Sequence, residues 1–68
     1  MEEAKKLMEF LNGRVNDMRL EGRFDYANQY FDQLIGAMGV FERLTGIKVV
    51  FEPDTENNYY TKLVYKEA

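Results

Sequence analysis

Apolar residues recur every three or four positions as far as Thr45 and every second position after Gly46, and this one change of period fixes the order of elements in the chain. Before it, Ala4, Leu7, Met8, Leu11, Val15 and Met18 fall on one stripe at about 100° per residue, which predicts a helix over about 2–20. Asn12-Gly13 interrupts that stretch with poor helix formers, at a cost of about 1 kcal/mol for the glycine, and marks where a kink or early stop would fall. Glu21-Gly22 supplies a C-terminal cap, because glycine adopts the left-handed conformation without a Cβ clash.

Asp25 reads as the next N-cap. Beyond it Ala27, Tyr30, Phe31, Leu34, Met38, Phe41 and Thr45 form a second stripe, widened by Phe24 and Ile35, which predicts a helix over about 25–45. Thr45-Gly46-Ile47 fits a Schellman stop. The short connection between the helices makes them antiparallel neighbours. After Gly46, Ile47, Val49 and Phe51 alternate with Lys48, Val50 and Glu52, giving a strand over about 47–52. Pro53-Asp54-Thr55-Glu56-Asn57-Asn58 is turn chemistry, and 59–66 reads as the returning strand. The expectation is a single α+β domain over 1–68, an antiparallel helical hairpin followed by a two-stranded antiparallel β-hairpin packed on it. Ile47, Val49, Phe51, Tyr59, Leu63 and Tyr65 should face the helices, with Phe51, Leu63, Leu34 and Phe41 in one core.

Composition then removes whole classes of chemistry. There is no histidine, cysteine, tryptophan or serine among the 68 residues, against five Phe and five Tyr. The usual general base, the soft metal ligand and the thiol nucleophile are therefore missing, while the side chains best at filling cores and contact surfaces are plentiful. No disulfide can form, a zinc site lacks its ligands, and no calcium-loop spacing of Asp, Asn and Glu appears. A core of this size supplies roughly 3–5 kcal/mol without a staple, which leaves oligomerisation as the staple still open. Twelve acidic and nine basic residues, interspersed for a net charge of −3, lack the basic face of a nucleic-acid binder and the dense carboxylates of a DNA mimic. Met1-Glu2-Glu3-Ala4-Lys5-Lys6 has no apolar run behind a basic start, and nowhere in the sequence are there 18 consecutive apolar residues. These features lead to the expectation of a soluble cytoplasmic protein that is not an enzyme, with no cofactor, no metal, no nucleic acid and no membrane as partner.

Four groups of residues stand out as candidate sites. Tyr26, Tyr30, Tyr59, Tyr60 and Tyr65 could line an aromatic pocket, or could be ordinary half-buried tyrosines with wet hydroxyls. Arg14, Arg19, Arg23 and Arg43 suit phosphate or carboxylate, but each has an acidic near-neighbour in Asp17, Glu21 or Glu42 and could be a surface pair. Gly36 and Gly39 together cost about 2 kcal/mol inside a helix, which close approach of another element on the Val40 side would offset. The acidic run Glu52-Pro53-Asp54-Thr55-Glu56 could hold a hard cation, or be a solvated hairpin tip.

The leading expectation is a small interaction protein that occupies a protein partner's surface as an inhibitor or regulator. In size and pattern it is of the type of many small phage or mobile-element proteins, though no motif carries that likeness. The alternative is an oligomer that sequesters a nucleotide-like anion with Tyr and Arg. Arg19, Arg23, Tyr26 and Tyr60 are the candidate partner or ligand contacts. Self-association, as a symmetric dimer, is expected through Gly36, Gly39 and Val40 on the second helix or through Val50 and Val64, with Tyr60, on the outer face of the hairpin.

Overall fold

Residues 2–56 and 61–67 are described by a computed structural model, in which the change of period at Gly46 is the boundary between helices and sheet. Helix α1 spans Glu2–Leu20 and α2 spans Phe24–Thr45; strand β1 spans Ile47–Pro53 and β2 spans Thr61–Glu67. The fold is α+β, two helices followed by a two-stranded antiparallel sheet packed on them. Tyr59 and Tyr60, expected at the start of the returning strand, lie outside the described residues.

The turns account for the path of the chain. At the end of α1, Gly22 sits at φ 75°, its N–H donating to the Arg19 carbonyl at 3.1 Å while the Arg23 N–H donates to the Met18 carbonyl at 2.8 Å. That pair of bonds is the Schellman pattern. It turns the chain directly into α2, so Asp25 is not the N-cap. Arg23 holds that position without a side-chain hydrogen bond, and Asp25 lies in the first turn, where its charge still meets the positive end of the helix dipole. The end of α2 differs from the expected Schellman stop. Gly46 is left-handed at φ 74° and its N–H donates to the Glu42 carbonyl at 2.8 Å. The Ile47 N–H donates to Thr45 Oγ1 at 3.1 Å, and that hydroxyl donates in turn to the Phe41 carbonyl at 2.7 Å. Thr45 therefore satisfies through its side chain the Ile47 N–H that a Schellman motif would bond to the Glu42 carbonyl.

Packing follows the two stripes in part. Met8, Leu11, Leu34, Phe41, Val49 and Leu63 form the buried core, with Ile47, Phe51 and Tyr65 packed against it. Phe51 stacks on Phe31 at 5.4 Å between ring centres, and Phe41 meets Tyr65 edge-on at 6.0 Å. Val15, Met18 and Ala27 are buried nearer the turn. Phe24 and Ile35, expected to widen the second stripe, are exposed, and so is Leu7 of the first. Seven-residue strands reach about 23 Å whereas α2 is about 33 Å long, so the described strands cannot cover the whole helix pair. Phe24, at the turn, falls where cover is thinnest.

Two polar residues are buried in α1, Asn12 and Asn16, and both hold Thr61. Asn12 Nδ2 donates to the Thr61 carbonyl at 2.9 Å and Asn16 Nδ2 donates to the same oxygen at 3.0 Å. In return the Thr61 N–H donates to Asn16 Oδ1 and the Thr61 hydroxyl to Asn12 Oδ1, each at 3.3 Å. The amides lie one turn apart on one face of the helix and clasp the first residue of β2 as a neighbouring strand would. Asn12-Gly13 accordingly causes no break in α1, which runs through it.

The clasp also sets the phase of the ladder. Register pairs Ile47 with Glu67, Val49 with Tyr65, Phe51 with Leu63 and Pro53 with Thr61. The N–H groups of Ile47 and Thr61 are both bonded outside the sheet, so these alternate pairs are the ones that turn their backbone groups away from the partner strand. Pro53, with no N–H to give, thus falls where the ladder requires none. Replacing Asn16 by Ala removes a reciprocal pair of bonds and leaves the Thr61 N–H without its acceptor. We expect the Asn16→Ala variant to lose about 1–3 kcal/mol of stability with an unchanged denaturant slope, measured by urea unfolding.

Candidate functional site

The helix pair carries the hairpin on one side only. On the other, Ala4 and Leu7 of α1 and Gly36, Ala37, Val40, Phe41 and Leu44 of α2 line an open groove of about 300 Å³. No described hairpin residue contributes to it. Met38 and Phe31, which do meet the hairpin, lie roughly half a turn around α2 from Val40. Gly36, Val40 and Leu44 follow one another at four-residue spacing, so they form one wall, and Leu7 stands opposite. The walls are wet: Leu7 is 52% exposed, Val40 58% and Leu44 69%, and Phe10, one turn on from Leu7, is 61% exposed. Apolar residues scattered singly over a surface are normal, but three together around one concavity, with Phe10 a turn away, form a patch of the kind that binds another surface.

Gly36 lies in that wall, yet a Cβ built on it, or on Gly39, meets nothing within 4 Å. The close approach expected to explain these glycines is therefore not made within the described chain. They also serve different surfaces. Gly39 lines a shallow depression with Ile35, Met38, Glu42, Lys48 and Val49 beside β1, while Gly36 opens the groove on the other side. Val50 and Val64 pair across the hairpin on its outer face, both half-buried, among Lys48, Glu52, Lys62 and Lys66.

The expected Tyr and Arg cluster is not assembled by the described residues. Arg14 lies over the Tyr30 ring at 5.3 Å and Arg19 over the Phe31 ring at 5.8 Å, each committed to an aromatic of the facing helix. Of the acid–base pairs expected for the arginines, only Arg23–Glu21 forms, at 3.6 Å, and Arg43 makes no ion pair among the described residues. Arg23 and Tyr26 share a surface depression at the helix turn with Gly22, Phe24 and Asp25, on a different part of α2 from the groove. Tyr60 lies outside the described residues. In the acidic run, Glu52 reaches Lys66 at 3.9 Å and Asp54 Oδ1 accepts the Glu56 N–H at 3.1 Å, an Asx turn. Among the described residues no three acidic side chains converge as a cation site would need.

The ionisation of Tyr65 is displaced by its surroundings. Burial first, then the charge and hydrogen bond of the Glu9 carboxylate and the charge of Glu2, hold its phenol above the usual tyrosine range. Its hydroxyl donates to Glu9 Oε1 at 3.4 Å, and Lys5 sits 5.1 Å from its ring centre. Because the folded value is raised, the protonated phenol contributes stability that is complete below the unfolded value and is lost as pH rises through the folded one.

No helix of the described residues is long and apolar enough to cross a membrane. Comparison with known protein families, curated proteins and solved structures returns no match.

Two outcomes follow from this geometry. The Gly39→Ala variant should gain about 0.5–1 kcal/mol in thermal unfolding, because the added methyl group meets nothing and the helix loses a flexible residue. The Tyr65→Phe variant should lose less stability than the parent between about pH 9 and pH 11, measured by urea unfolding, since it has no phenol to ionise.

Proposed function

We propose that this protein is a non-catalytic interaction protein that acts by occupying the surface of a protein partner, as an inhibitor or regulator does, and that the helix groove is where it makes contact. The observation that supports this reading is the concentration of wet apolar side chains in one concavity, with Leu7, Val40 and Leu44 on its walls and a chain-unused glycine opening it. Protein recognition favours such a surface, since a few large apolar residues around a depression can be desolvated together by one complementary face. A nucleotide-like anion would need converging donors, whereas the groove walls offer none and Arg14 and Arg19 are turned onto their own rings.

Val40→Lys tests this without threatening the fold, because Val40 is exposed and lysine is the better helix former. In affinity capture with a tagged chain from its host cell, we expect the parent to enrich a protein that the Val40→Lys variant loses at an unchanged melting temperature. Recovery of the same proteins by both would refute the groove as the contact.

A further inference from the structure

We infer that the groove takes a second copy of this chain, laid face to face so that a two-fold axis runs along it; this rests on reading the groove as a protein-docking surface and names its occupant. The helices are antiparallel and joined tightly at Gly22, so each residue back along α1 is matched in height by one forward along α2. Arg14 over Tyr30 shows this near the turn, and Leu7 sharing the groove with Val40 shows it further out. Glu3 is then level with the turn of α2 that carries Arg43, and Phe10 with the turn that carries Gly36.

A two-fold axis along the groove lays α1 of one copy over α2 of the other without changing height. Every one of those level pairs becomes a contact between copies. Glu3 of each copy meets Arg43 of the other, an acid from the first turn of one helix against a base from the last turn of the next. Nearer the turn Phe10, 61% exposed, comes down on Gly36, whose missing side chain leaves the room the ring needs. Leu7 and Val40 close the centre. One rim supplies what the other lacks, in charge and in shape, which is the requirement for an isologous interface. The outer face of the hairpin fails the same test: Lys48, Lys62 and Lys66 stand around Val50 and Val64 with only Glu52 opposing them, so two such faces would repel. Four helices in the middle and a hairpin on either side would result.

The experiment is charge exchange read by sedimentation equilibrium at micromolar concentration. We expect the parent to be a dimer, and Glu3→Arg or Arg43→Glu alone to raise the dimer dissociation constant by about tenfold or more, since symmetry places each pair in the interface twice. The double variant Glu3→Arg/Arg43→Glu should return to within about threefold of the parent, because the restored pairs remove the like-charge repulsion. Gly36→Leu should give a folded monomer with unchanged circular dichroism, because a Cβ there meets nothing within 4 Å and leucine is the better helix former. A monomeric parent overturns the self-docking, as does a dimer indifferent to Gly36→Leu or one that the double variant fails to restore. A dimer broken instead by Val50→Lys overturns it in favour of the hairpin. The two readings share Val40 but fail apart: a monomeric parent that still enriches a Val40-dependent protein overturns only the self-docking and keeps the groove as a docking surface.

Discussion

A two-stranded hairpin cannot keep its apolar face dry by itself, and in this chain that face is Val49, Phe51, Leu63 and Tyr65. The helix pair exists in this form because it has to cover those residues. Leu34 and Phe41, two turns apart on α2, are buried at the place where both helices and the sheet meet, and the core closes around them. One layer of helices has two faces, however, and one hairpin covers one of them. The bare groove on the far side is therefore a direct consequence of how little sheet the chain contains.

The hairpin is held by more than apolar contact. Burying its end against α1 brings the Thr61 backbone out of water, and an unpaired N–H or carbonyl there costs about as much as a hydrogen bond yields. Asn12 and Asn16 supply both partners, and no buried side-chain polar atom of the described residues lacks one. Apolar residues at these positions would add burial but strand the backbone. Polarity here serves position: the amides hold one residue of β2 at one height on α1, and through the ladder that fixes the register of every pair up to Ile47 and Glu67.

Much of this was legible because local chemistry and long-range packing agree at the places that punctuate the chain. Gly22 and Gly46 are left-handed where the sequence requires a stop, and the alternation from Ile47 to Phe51 puts the expected side chains inward. Asn12 and Asn16 escaped notice because an asparagine in a helix reads as a weak former and nothing more. The available signal was their place: they continue the four-residue row begun by Met8, a buried row, and polar residues there announce a backbone to be satisfied. Periodicity places Leu7, Phe24 and Ile35 inward because it gives the direction of a side chain but not the extent of what covers it. The groove was half visible in Gly36 and Val40. Leu44, which completes the wall, sits beside the end of its helix, where the last turn is ordinarily read for caps.

The clasp on Thr61 spans 45 residues from Asn16 and 49 from Asn12. During synthesis at about 5–20 residues per second, the two amides wait several seconds for the strand they hold. Once α2 has followed, and until Thr61 arrives, the nascent helix pair is bare on both sides, but the sides are not alike. The one that faces outward is apolar and open to any complementary surface, while the one awaiting the hairpin shows two amides in the middle of its apolar floor. Another helix laid there would desolvate both asparagines without satisfying them, whereas an extended backbone satisfies them at once. The asparagine pair thus favours an extended backbone over a helix on the inner side, and the chain supplies that backbone itself at Thr61.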